Sequence, residues 1–84
     1  MNSKQKKTYE QIFADPVSGC IPWVDIEKLF RSLGARISEE NGSRIRVELN
    51  GERAVFHRPH PENTADKAAV KATRRFLENA GVRL

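Results

Sequence analysis

The sequence predicts an α+β domain: a three-stranded antiparallel meander whose apolar face is covered by helices, preceded by one additional helix. Three observations carry this expectation. Between Ser43 and Arg58 apolar residues alternate with charged ones on either side of Asn50-Gly51. That is the pattern of two half-wet strands joined by a type I′ turn, whose two central residues need φ > 0. Ile26, Leu29, Phe30 and Leu33 recur at i, i+3, i+4 and i+7, a continuous apolar stripe along a helix. Val70, Thr73, Phe76, Leu77 and Ala80 repeat that kind of spacing towards the end of the chain. Its 84 residues allow a single domain over 1–84, with no room for a second core.

From the N-terminus, residues 3–14 are expected to be helical through Tyr9, Ile12 and Phe13, with Ser3 as the N-cap. Lys4, Lys6 and Lys7 fall in its first turns, where the helix dipole favours acids. They read as a solvated lysine cluster in preference to a phosphate contact. Asp15-Pro16 ends this helix, and residues 16–21 form a loop. Pro22 suits the first position of a second helix over 22–33. Trp23 is expected to pack at its start, the alternative being partial exposure for a partner, and Gly34 suits a left-handed C-cap. A strand over 35–39 carries Ala35 and Ile37 on its apolar side. A three-residue turn, Glu40-Asn41-Gly42, brings Ile37 opposite Ile45.

Strands over 43–49 and 52–58 follow. With a two-residue Asn50-Gly51 loop, Glu48 faces Arg53, Val47 faces Ala54, Ile45 faces Phe56 and Arg44 faces His57. Ile45, Val47, Ala54 and Phe56 then form an apolar floor, while Arg44, Arg46, Glu48, Arg53 and His57 form a mostly basic roof. Pro59 and Pro61 stop the third strand. Asn63 or Thr64 caps a last helix over 65–80, with Lys67, Lys71, Arg74 and Arg75 mainly outward and Gly81 after its end.

A formal charge of +4 and an isoelectric point near 9.6 favour an anionic partner, either nucleic acid or an acidic protein. Arginine dominates the hairpin, and its fork suits phosphate better than a lysine point charge. Arg46, Arg53, Arg58, Lys67, Lys71, Arg74 and Arg75 are therefore candidate RNA-binding residues beside Arg44. The single Cys20 excludes an internal disulfide and a cysteine-rich zinc site. Two histidines without a carboxylate or cysteine cluster argue against a metal, and nothing points to a cofactor. The sequence has neither a bilayer-length apolar run nor a signal-peptide core, so a cytoplasmic protein without membrane attachment is expected. A homodimer through the exposed sheet face would add burial to so small a core.

The order helix, strand, strand, strand, helix, with helices on one face, is the layout of double-stranded-RNA-binding domains. From Ile21 to Val82 the chain also resembles the HicA toxin family, small basic ribonucleases of bacterial toxin–antitoxin systems. The resemblance rests on the amphipathic helix ending in Leu33-Gly34-Ala35, then Gly42-Ser43, the His60-Pro61 pair, and the closing Phe76-Leu77-Glu78-Asn79-Ala80-Gly81-Val82. It implies a double-stranded-RNA-binding-like fold, cleavage of messenger RNA, and neutralisation by an antitoxin of the HicB type. It further implies an RNA-contacting or structural role for His60. The family places its catalytic histidine directly after Gly-Ser, where this chain has Arg44. An arginine stabilises developing negative charge but stays protonated, so it cannot act as a base. His57, across the hairpin from Arg44, is the candidate general base of a metal-independent endoribonuclease. The rival expectation is a catalytically inactive RNA- or protein-binding module of the same fold.

Overall fold

The structure is a computed structural model that describes residues 2–83. Its elements are α1 (Ser3–Ile12), β1 (Ile21–Pro22), α2 (Trp23–Ser32), β2 (Arg36–Glu39), β3 (Arg44–Leu49), β4 (Glu52–His57), β5 (Thr64–Ala65) and α3 (Lys67–Asn79). The α+β arrangement is the one the sequence predicts: an antiparallel sheet in the order β2-β3-β4, with helices against one face and an additional helix at the N-terminus. Ile45, Val47, Leu49 and Phe56 are buried on the covered face, whereas Arg44, Arg46, Arg53, Val55 and His57 are exposed on the other. Among the described residues, no helix is long and apolar enough to cross a membrane.

The hairpin has the expected register. Arg44 pairs with His57, Ile45 with Phe56, Val47 with Ala54 and Glu48 with Arg53. Asn50 (φ 51°) and Gly51 (φ 84°) supply the two left-handed residues that a type I′ turn requires. Asn50 also donates its side-chain amide to the Ala80 carbonyl at 2.9 Å, tying the turn to the end of α3.

Several local expectations are corrected. The β2–β3 register lies two residues from the expected one: Ile37 faces Val47, and Glu39 faces Ile45. The loop is Asn41-Gly42-Ser43, closed by a hydrogen bond from the Glu40 amide to the Arg44 carbonyl (2.9 Å). A two-residue slip leaves every side chain on its face, so the hydrophobic pattern does not distinguish the two registers. The first helix is capped by Asn2 rather than Ser3. The Asn2 side chain accepts from the Lys4 and Gln5 amides, and Gln5 reaches back to the Asn2 amide, a reciprocal capping box. That helix ends at Ile12, before residue 14. Pro22 precedes α2 rather than opening it, because Ile21–Pro22 pairs with Thr64–Ala65 in a two-residue ladder, extended by the Trp23 amide donating to the Asn63 carbonyl (2.8 Å). The last helix is capped by Asp66, which accepts from the Ala69 amide at 2.8 Å.

The covered face meets an aromatic cluster. Phe56 lies 5.7 Å from Trp23, 5.7 Å from Phe30 and 5.9 Å from Phe76, measured between ring centroids. One ring of β4 thus touches both α2 and α3, and Trp23 is packed as expected, only 5% exposed. Offset and edge-on pairs of this kind add to the burial of their area. Phe56→Ala should lower stability by about 3–5 kcal/mol. Urea titration followed by circular dichroism measures this, and a loss below about 1 kcal/mol would remove Phe56 from the centre of the core.

Candidate functional site

Strand alternation and the Asn50-Gly51 turn bring Arg44 and His57 directly opposite one another at the open end of the hairpin. The next position along is hydrogen-bonded, with the Arg58 amide donating to the Ser43 carbonyl at 2.8 Å. Because bonded and non-bonded pairs alternate, Arg44–His57 is a non-bonded pair, the closer of the two kinds. Both side chains are exposed, and no acid lies within ion-pair distance of Arg44 among the described residues. The other roof arginines differ. Arg46 is held by Glu40 at 2.8 Å and Arg53 by Glu48 at 2.7 Å, exposed pairs that contribute well under about 1 kcal/mol each.

His57 and His60 line one open concavity of about 450 Å³, with Arg58, Thr64 and two acids, Glu62 and Asp66. The structure therefore sets His57 between two other candidates, with Arg44 opposite it on the sheet and His60 lining the same hollow, while Arg44 itself lies outside that lining. Asp66 is already engaged in capping α3. The two carboxylates repel a phosphate within the hollow, whereas Arg44, outside its lining, attracts one beside His57.

Arg58 points the other way. Its Nε and Nη2 donate to the two carboxylate oxygens of Glu27 at 2.8 and 3.1 Å, and its Nη1 donates to Glu39 at 2.6 Å. Glu27 is 6% exposed and also accepts from the Trp23 indole N–H, with Arg31 one turn along α2 at 3.6 Å. Burial pushes the Glu27 carboxyl up, but the donors of Arg58 and Trp23 outweigh it and hold the group below its ordinary value. The Glu27 hydrogen bonds, with those of Glu39, raise the guanidinium pKa of Arg58. All three guanidinium nitrogens face acids, so Arg58 is a brace between α2, β2 and the end of β4. Sequence reasoning missed Glu27. Its i, i+4 spacing from Trp23 was a visible signal, while Arg58 lies 31 residues away.

The remaining candidates are carried by α3. Arg74 donates through Nε to the Ile12 carbonyl and through Nη2 to the Ala14 carbonyl, and its guanidinium lies 5.9 Å from the centre of the Phe13 ring. It fastens α1 to α3. Arg75 shares a shallow groove with Arg53 beside β4. Lys67 lies against the loop at Gly19, and Lys71 is one turn further along that stripe of α3. Among the described residues, no group of three histidine, cysteine or acidic side chains is placed to hold a metal ion.

Removing Glu27 takes away the carboxylate that meets Arg58 Nε and Nη2 and leaves Glu39 as its one acid partner. Breaking a buried pair costs about 3–5 kcal/mol. Arg58 keeps 30% exposure, so water recovers part of this, and Glu27→Gln should cost about 2–3 kcal/mol at neutral pH. The folded carboxyl holds its proton less tightly than the unfolded one. Its contribution is therefore complete above about 4.5, the ordinary value, and is lost as the pH falls through the folded pKa. Stability measured against pH should show a shallower acid limb in Glu27→Gln than in wild type. An unchanged limb would contradict the assignment.

Comparison with known proteins adds a family. The model described as HicA toxin of bacterial toxin–antitoxin matches residues 23–82, from the start of α2 to just beyond α3, and leaves α1 outside. No curated protein and no solved structure matches the chain.

Proposed function

We propose, from the premise that this chain belongs to the HicA toxin family of bacterial toxin–antitoxin systems, that it is an RNA-binding endoribonuclease neutralised by an antitoxin of the HicB type. Family membership makes it a toxin with an antitoxin partner. The observation that supports the chemistry is the close cross-strand pair of Arg44 and His57, opening onto the hollow that His60 also lines.

Metal-independent cleavage of RNA requires three things. A base takes the proton of the 2′-hydroxyl as its oxygen attacks phosphorus, a donor protonates the departing 5′-oxygen, and positive charge stabilises the phosphorane between them. His57 is the base, because its imidazole can accept a proton where the neighbouring Arg44 cannot. Arg44 is the stabiliser, permanently charged and without an acid partner among the described residues. The departing 5′-oxygen takes its proton from water, which reaches this exposed pair; His60 contacts the RNA from the hollow it lines with His57, and Lys67, Lys71 and Arg75 add positive charge at the periphery. Arg58 and Arg74, whose donors are satisfied within the protein, act through the fold.

The arginine that follows Gly42-Ser43, in the place of the family's histidine, supports one rival: an RNA-binding module that has lost its chemistry. One assay separates the two. Messenger RNA incubated with protein in EDTA should be cut by wild type, with His57→Ala slower by about 10²–10⁴-fold and Arg44→Ala by about 10²–10³-fold. Undiminished cleavage by His57→Ala overturns the assignment of the base. An RNA band that shifts but stays intact with wild type establishes the rival.

A further inference from the structure

The packing of α1 on α2 creates a cleft of about 280 Å³ that the family-matched core lacks without α1. Lys4 and Lys7 stand on one wall and Lys28 on the other, with Asp25 as the only acid lining it. None of the three ammonium groups has an acid within ion-pair distance among the described residues. Like charges gathered on facing walls oppose folding, and an anion seated between them reverses that cost. From the sequence, Lys4 and Lys7 belong with Lys6 in a solvated cluster. The structure separates them from Lys6, which does not line the cleft, and adds Lys28 from a different helix.

This cleft does not stand alone. It shares Pro22 with a second hollow of about 400 Å³, lined by Trp23, Val24, Pro59 and the Glu27–Arg58 pair. That hollow in turn shares Arg58 and Pro59 with the one containing His57 and His60. The middle stretch is apolar: Val24 is 57% exposed, and Glu27 and Arg58 neutralise one another. The track therefore runs from a cationic cleft, over an apolar shelf, to the histidines and Arg44. Alternating positive charge and apolar surface is how single-stranded nucleic acid is held, phosphates on the cations and base faces on the apolar side chains. A duplex, whose bases are stacked inward, would have no use for the shelf.

We propose that this track binds one strand of RNA, with Lys4, Lys7 and Lys28 forming a phosphate subsite remote from the Arg44–His57 pair. The inference rests on the RNA-cleaving reading above and adds to it a substrate class, an extended unpaired strand, and a function for α1.

The test uses 2′-O-methyl oligoribonucleotides, which lack the attacking hydroxyl and cannot be cut, with binding read by fluorescence anisotropy at several salt concentrations. Strands of about twelve and about three nucleotides are compared. The Lys4→Gln/Lys7→Gln/Lys28→Gln variant, checked for folding by thermal melting, should bind the long strand about tenfold or more weakly at low salt. Its log affinity against log salt should be shallower by up to about 2, near 0.7 for each phosphate no longer neutralised. Binding of the short strand, and cleavage of an unmodified short substrate, should change less than about twofold. Val24→Asp, at an exposed position, should also weaken only the long strand. Wild type that binds the long strand while the lysine variant matches it in affinity and salt slope overturns the track, as does equal weakening for both strands. Wild type without salt-dependent binding to any strand overturns the RNA reading itself, a different failure.

Discussion

Glu27 is the one carboxylate that the described fold takes almost wholly out of water, and a desolvated carboxylate is tolerated only where donors surround it. Arg58 supplies two of those donors and Trp23 a third. Successive strand residues point to opposite faces, so a strand end that turns Arg58 towards Glu27 must turn His57 outward. The same bond that completes the interior of α2 thereby presents the imidazole beside Arg44. Trp23, held at one end of this group, lays its ring against Phe56. The polar brace and the aromatic cluster are consequently parts of a single joint between helix and sheet.

The legible part of this fold was the part governed by local rules. Asn50-Gly51 has few conformations open to it, and alternation on either side has period two, so the hairpin register followed directly, with Arg44 facing His57. Neither rule reaches β2, where a slip by two residues preserves the faces and only the position of the turn records the difference. The ladder of Ile21–Pro22 with Thr64–Ala65 is too short to have a period at all. The arginines show the same division. Arg58 and Arg74 resemble Arg44 and Arg46 in sequence, yet the first two are directed inward by partners 31 and about 60 residues distant. Charge is visible in a sequence; what neutralises it is a property of the fold.

That division changes the electrostatic picture of the surface. The net charge is unchanged by pairing, but several of the arginines that suggested an anionic partner are locally neutralised: Arg46, Arg53 and Arg58 each face an acid. Of the cations without such partners among the described residues, Arg44 stands at the hairpin end and Lys4, Lys7 and Lys28 at the helix cleft, while Lys67, Lys71 and Arg75 lie along α3. The separation favours a ligand with charges spaced along its length over a compact anion.

The attachment of α1 has a further consequence. Arg74 grips it through the carbonyl groups of Ile12 and Ala14, which belong to the main chain and exist whatever side chains accompany them. Position 14 is exposed, so its identity is free to drift while the clasp stays intact. The clasp itself thus makes little demand on the spelling of the segment it holds, and that demand falls instead on the side chains α1 buries, Ile12 above all. A small domain can in this way acquire an accessory element first and tailor its surface afterwards.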